Sequence, residues 1–157
     1  MKRAETGNRM IRIRRAKAAD IAAIVAIEKG IFIDPWNNEG FLEVLYLYPG
    51  TFFVAEKGSR IVGFICSGLE NTGEEIYGHV MNFATCSESQ GQGIGTMLLK
   101  RTEYECMLHG ASAMQLEARV SNTKAQKFYQ NAGYTQVFII SSYYPDAEDA
   151  IVMMKWE

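Results

Sequence analysis

Long apolar runs are missing from this chain. No stretch approaches the roughly 20 residues that a membrane-spanning helix needs, and the first residues have no apolar core behind their charges, so they do not read as a secretory leader. Histidine is limited to two residues and cysteine to three, Cys66, Cys86 and Cys106. An odd cysteine count with no C-x-x-C pair supports neither a disulfide framework nor a zinc site. No metal is expected, and a reducing cytoplasm is the expected setting. The net charge is only −2, which argues against a general nucleic-acid binder.

The charge that is present is unevenly placed. In the first 17 residues seven cations (Lys2, Arg3, Arg9, Arg12, Arg14, Arg15 and Lys17) stand against Glu5 alone, leaving −8 on the remainder. Residues 1–10 read as a loose tail leading into a solvated edge strand, with weak contact to an RNA-rich partner as the alternative. Apolar residues make up 48% of 157, enough to give residues 11–157 the core of a single domain.

Ile11-Arg-Ile-Arg-Arg15 alternates apolar and charged residues, as a half-buried strand does. Asp20 can serve the start of a helix with Ile21, Ile24 and Val25 on one face. After Gly30, Pro35 forces an extended turn that presents Phe32 and Trp36, and a second helix runs over about 37–48. Two strands follow around a hairpin at Lys57-Gly58, then a long strand over about 75–85, in which His79 reads as a plain strand residue. A helix from Ile94 stops near His109-Gly110, where His109 suits a helix end better than a ligand role. The alternation of Met114, Leu116, Ala118 and Val120 predicts a strand. Ser121-Asn122 opens a helix with Ala125, Phe128, Tyr129 and Ala132 on one face, and strands over 134–142 and 150–156 follow. The order β-α-α-β-β-β-α-β-α-β-β describes an α+β domain with a mixed sheet.

This order is organised around the segment from Met81 to Leu99. It begins as an apolar strand, places three glycines within five residues (Gly91, Gly93 and Gly95), and continues at once as a helix. Glycines let a backbone approach a bulky ligand, and the N–H groups of a helix start favour an anion such as phosphate. A plain connecting turn is the competing reading. Gln90-Gly-Gln-Gly-Ile-Gly95 lacks both the G-x-G-x-x-G spacing of dinucleotide folds and the Gly-Lys-Ser/Thr ending of nucleotide-triphosphate loops.

Gln90 to Gly95, the N-x-x-A-x-x-F-Y-x-x-x-G-Y run from Asn122 to Tyr134, and the strand order together resemble the GNAT acetyltransferases. Leu116-Glu-Ala-Arg-Val-Ser-Asn122, the segment from Tyr143 to Met153 and the Phe32–Trp36 turn resemble the RimI-type protein N-terminal acetyltransferases. Two departures stand out: Ala118, where a β-branched residue is usual, and Ala147, where glycine is common. The resemblance implies a GNAT-like, mostly antiparallel twisted sheet flanked by helices. It also implies direct, ternary-complex transfer of acetyl from acetyl-coenzyme A to the α-amine of a polypeptide N-terminus, ribosomal or broader.

The resemblance assigns Glu117 as general base and Tyr129 as proton donor to the departing sulfur. An α-amine of pKa about 8 needs only a mild base, and a phenol of pKa about 10 suits a thiolate. The residues alone leave other roles open: Glu117 paired with Arg119 on an exposed strand, and Tyr129 packed beside Phe128. Gly91, Gln92, Gly93, Ile94, Gly95 and Thr96 are implied to hold the diphosphate, and Phe83, Ala84 and Thr85 to pair through the main chain with the pantetheine arm. Asn122 is implied to touch the cofactor, although its position equally suits a helix cap. Cys86 has no activating base in view, so a cysteine-linked intermediate is not expected. Phe32, Trp36, Tyr143 and Tyr144 are implied to form an aromatic slot for the substrate, at an end made acidic by Glu39, Glu43, Asp146, Glu148 and Asp149. Surface loops closing over the sheet are the alternative. Two rival functions stand beside this one: transfer to a small-molecule amine, and a non-catalytic acyl-coenzyme A-binding module. No membrane or specific nucleic-acid partner is expected, and nothing in the sequence sets the oligomeric state.

Overall fold

The computed structural model describes residues 10–156, so the basic segment up to Arg9 lies outside the described residues. Along the chain come β1 (Ile11–Arg15), α1 (Ile21–Ile31), α2 (Asn38–Leu47), β2 (Phe52–Lys57), β3 (Arg60–Asn71) and β4 (Ile76–Thr85). Then follow α3 (Ile94–Leu108), β5 (Ala113–Arg119), α4 (Thr123–Asn131), β6 (Thr135–Ile140) and β7 (Ala150–Trp156). This is the expected order of elements. The strands form a sheet in the order β1-β2-β3-β4-β5-β7-β6. Neighbours β1–β2, β2–β3, β5–β7 and β6–β7 run antiparallel, whereas β4–β5 is parallel. The fold is therefore the expected mixed, mostly antiparallel sheet with helices. No described helix is long and apolar enough to cross a membrane.

Two compact units make up the chain, each assembled from separated segments. One runs up to Ser67 and includes Met81–Glu105; the other joins Gly68–Val80 to the segment that begins at Cys106. In the first unit, Arg14 grips both carboxylate oxygens of Asp20 at 2.8 and 2.9 Å, and Asp20 also accepts the Lys17 N–H at 2.9 Å. Burial opposes the charge on Asp20, but these bonds outweigh it and hold the carboxyl below its usual range. Asp20 thus secures a short 3-10 turn over Ala18–Asp20 ahead of α1, and makes no cap bond to α1 itself. The stripe of Ile21, Ile24 and Val25 is buried as its spacing predicts. Phe41 of α2 meets Phe64 edge-on at 5.3 Å and Phe52 at 6.3 Å, an arrangement that favours the ring quadrupoles.

In the second unit, Met114, Leu116 and Ala118 of β5 are buried, as are Ala150, Ile151, Val152 and Met153 of β7. α3 stops where Gly110 takes φ +94°, with the Ala111 N–H returning to the Cys106 carbonyl at 3.0 Å. The β4–β5 ladder spans Tyr77–His79 against Ala113–Gln115; β4 then continues to Thr85 and β5 to Arg119 outside that register. Gly78 sits in the middle of it. A Cβ there would lie 2.7 Å from both the Cys106 Sγ and the Met114 Sδ, so only glycine lets these sulfurs close over the ladder. Gly78→Ala is expected to destabilise the protein by about 1–3 kcal/mol through overpacking, read as a lower denaturation midpoint. An unchanged midpoint would show that the sulfurs yield freely.

Candidate active site

The parallel register determines which side chains meet. His79 of β4 is opposite Gln115 of β5, and Glu117 lies two residues further along, on the same face as Gln115. His79 Nε2 therefore reaches the Glu117 carboxylate, at 2.8 Å from Oε1 and 3.0 Å from Oε2. Gln115 donates its amide to Oε2 at 3.2 Å, and the Tyr143 hydroxyl points to Oε1 at 3.5 Å. On the far side of the imidazole, Nδ1 is 3.3 Å from Oε2 of Glu70 on β3. The other oxygen of Glu70 accepts from the Tyr77 hydroxyl, also at 3.3 Å. Glu117 is well shielded, with 9% of its side chain exposed, and His79 retains 22%.

The expectation that His79 is a plain strand residue is overturned. Burial disfavours its charged form, but the hydrogen bond and charge of Glu117, with those of Glu70, outweigh it and raise its pKa above the ordinary value. A raised histidine pKa adds stability that is complete below the unfolded value of about 6.5 and is lost as pH climbs through the higher folded value. Tyr129, in α4, is half-buried, with its ring edge-on to Phe128 at 5.4 Å and 6.0 Å from Tyr134. Burial first, then the neighbouring Tyr144 and the carboxylate of Glu117, push its phenol upward. Tyr144 is pushed up to about 12 by burial, then by Tyr143 and Glu117. Both phenols stay neutral through the physiological range while sharing the field of Glu117.

Arg119 takes partners other than Glu117. Its guanidinium binds Asp146 at 2.9 Å and Glu148 at 2.8 Å, and lies 4.2 Å over the Tyr144 ring. Asp149 meanwhile accepts the Ser142 N–H at 2.9 Å. Of the five acids foreseen at the substrate end, Asp146, Glu148 and Asp149 are thus engaged within the loop, Arg119 compensating two of them, whereas Glu39 and Glu43 belong to α2. The same loop explains the departure at Ala147: its φ is +73°, in the left-handed region that glycine enters at no steric cost.

The glycine turn lies in the first unit. Gly91 and Gly93 take φ +83° and +80°, and nothing lies within 4 Å of a Cβ built at either. The first bond of α3 runs from the Met97 N–H to the Gly93 carbonyl at 3.1 Å, so the N–H groups of Ile94, Gly95 and Thr96 have no helical acceptor. Lys57 sits beside them, bonded to Gln92 at 3.0 Å. Positive-φ glycines, open space, a helix start and an adjacent lysine fit a diphosphate. In β4, the Phe83 N–H donates to Asn82 Oδ1 at 2.9 Å, and the Thr85 carbonyl accepts from the Gln90 amide at 3.1 Å; Ala84 is buried. A pantetheine arm along these residues would share groups that already have local partners. Asn122 caps α4, accepting the Ala125 N–H at 3.1 Å.

The aromatic residues group within their own units. Tyr143 and Tyr144 meet edge-on at 5.0 Å in the second, and in the first Phe32 is exposed while Trp36 packs on Phe41 at 5.1 Å. The Trp36 N–H donates to Oε2 of Glu28 at 3.0 Å, the same oxygen that accepts from Asn82 at 3.0 Å. Oε1 of Glu28 is buried without a partner among the described residues, and burial pushes this carboxyl upward in spite of the two bonds. The sequence carried a sign of this residue: Glu28 continues the spacing of Ile21 and Ile24, placing a carboxylate on the buried stripe of α1. An open groove of about 640 Å³ lined by Ala19, Ala23, Ile27, Arg60 and Ser87, among others, includes none of the expected site residues.

Residues 21–134 match the model of the acetyltransferase (GNAT) family, and the chain belongs to that family. It is 37% identical over 144 residues to an uncharacterised N-acetyltransferase of Methanocaldococcus jannaschii, across 91% of this chain and 90% of that one. It is 32% identical over 151 residues to an N-alpha-acetyltransferase of Sulfurisphaera tokodaii, across 90% of each. The crystal structure of Ard1 from Thermoplasma volcanium shares the fold, with a TM-score of 0.88 at 22% identity over 93% of this chain and 97% of that one. The protein is an N-acetyltransferase that uses acetyl-coenzyme A.

Ala147→Gly is expected to stabilise the β6–β7 loop by about 0.5–1 kcal/mol, the left-handed strain relieved less the entropy glycine adds. Thermal unfolding checks it, and a lower midpoint would contradict it.

Proposed function

We propose that this enzyme acetylates the N-terminal α-amine of polypeptides, ribosomal or other, in a reducing cytoplasm. The observation that supports this most is the 2.8 Å contact between Glu117 and His79. The contact fixes a carboxylate in place to take a proton, and an α-amine of pKa about 8 gives its proton up far more readily than a lysine amine of about 10.4.

Bound acetyl-coenzyme A supplies an acyl group activated as a thioester. The Gly91–Thr96 loop, with Lys57 beside it, binds the diphosphate, and Phe83–Thr85 and Asn122 orient the rest of the cofactor. Glu117 accepts the proton that the incoming ammonium loses, which frees the nitrogen lone pair to bond to the acetyl carbon. His79 and Gln115 fix the carboxylate in place. Tyr129, kept neutral by burial, gives its phenolic proton to the sulfur as the C–S bond breaks, and the second proton, which the nitrogen sheds as the amide forms, restores the phenol. Phe32, Trp36, Tyr143 and Tyr144 receive the first residues of the acceptor.

Glu117→Gln is expected to slow turnover about 100-fold near neutral pH. That loss should shrink toward pH 9, where the α-amine is already neutral without help. Tyr129→Phe should cost roughly 100-fold wherever the phenol is protonated, which covers the whole working range. Full activity in both variants would overturn these roles. The function itself is tested by mass spectrometry after reaction with a peptide library and a small-amine panel. Acetyl on α-amines is the expected result; acetyl only on lysine side chains or only on small amines would overturn it.

A further inference from the structure

We propose that Glu70 is a positioning residue for the base. It holds the Nδ1–H of His79, so that Nε2 faces Glu117 and the ring engages both carboxylates at once. The proposal rests on Glu117 being the base.

A neutral imidazole carries one N–H, and its other nitrogen can only accept. Here both ring nitrogens face carboxylate oxygens, Nδ1 at 3.3 Å from Glu70 and Nε2 at 2.8 Å from Glu117. A neutral ring can satisfy one contact only; the other would set a nitrogen lone pair against a carboxylate oxygen. The doubly protonated ring satisfies both. Without Glu70, the neutral tautomer with its proton on Nε2 would still serve Glu117, and only the charge of Glu117 would favour a second proton. Glu70 adds to Glu117 in favouring the imidazolium, and an imidazolium gives Glu117 a fixed, charge-assisted donor.

Glu70 is itself held in place. The Tyr77 hydroxyl donates to Oε1 and leaves Oε2 for the imidazole. Among the described residues, the titratable groups around His79 are Glu70 from β3 and Glu117 from β5, in direct contact with the ring, and behind them Tyr77 from its own strand, on Glu70, and Tyr143 from the β6–β7 loop, on Glu117; Gln115 contributes a neutral amide to Glu117. The pKa values of both tyrosines are raised, with burial as the first cause and a neighbouring carboxylate adding to it, so neither competes as a charge near neutrality. Glu70 is 49% exposed, so water and salt screen its charge and its effect is one of tuning.

The test is Glu70→Gln in the full-length protein, with the His79 ring followed by nitrogen NMR as a function of pH. The chain has one other histidine, His109, which serves as the internal control. The His79 midpoint is expected to move to lower pH while His109 stays in place. The inflection of kcat against pH should move the same way, with the peptide KM unchanged. Glu70→Asp, which keeps the charge, should return part of the shift. A His79 midpoint that stays put in Glu70→Gln, with the variant folded by its thermal midpoint, would overturn the proposal. The NMR readout needs no acceptor, so failure of the wild-type enzyme to acetylate α-amines would sink the proposed function while leaving the role of Glu70 to be decided by the ring.

Discussion

The contact between His79 and Glu117 is the interaction on which the site depends. A carboxylate shielded to this extent is costly unless its charge is met by a donor, and one that is met is held in a fixed position. The backbone makes the meeting possible. Three residues of parallel ladder place His79 opposite Gln115, and the two-residue period of a strand brings Glu117 within reach of the imidazole. Gly78, one residue before His79, keeps that ladder closed under the sulfurs of Cys106 and Met114. A packing constraint and the His79–Glu117 contact thus share adjacent residues of one strand.

Charge is handled differently at the two expected binding regions. Around the glycine turn, N–H groups and Lys57 gather positive potential, which suits an anionic cofactor. In the β6–β7 loop, Arg119 draws in Asp146 and Glu148 and stacks on Tyr144, so the carboxylates there brace a loop before they can attract anything. Their contribution to recognising a cationic amine is correspondingly reduced. With Arg119 engaged by the loop, Glu117 is met by His79, Gln115 and Tyr143.

Much of this was legible in the sequence where the signal is local. The apolar stripe of α1, the glycine stop of α3, the alternation in β5 and the glycine turn all follow from periodicity and backbone freedom, and each formed as expected. The family motif singled out Glu117 and Tyr129. The role of His79 is hidden because it depends on the β4–β5 register, and a strand sequence does not reveal which partner lies across from it or by how many residues it is offset. Arg119 and Glu117 look like natural partners two residues apart on one strand; the loop that captures Arg119 comes 27 residues later. Glu28 is the intermediate case. Its position on a buried helical stripe was visible, but the N–H of Trp36 and the amide of Asn82 that justify it come from elsewhere in the fold.

The most direct test of this account is the titration of His79 in the wild-type protein, followed through both ring nitrogens by NMR. A ring between two carboxylates should keep both protons to a pH above the ordinary histidine value of about 6.5. A midpoint at or below that value, with a neutral ring bearing its single proton on one nitrogen, would contradict the claim that Glu117 works against a charged partner.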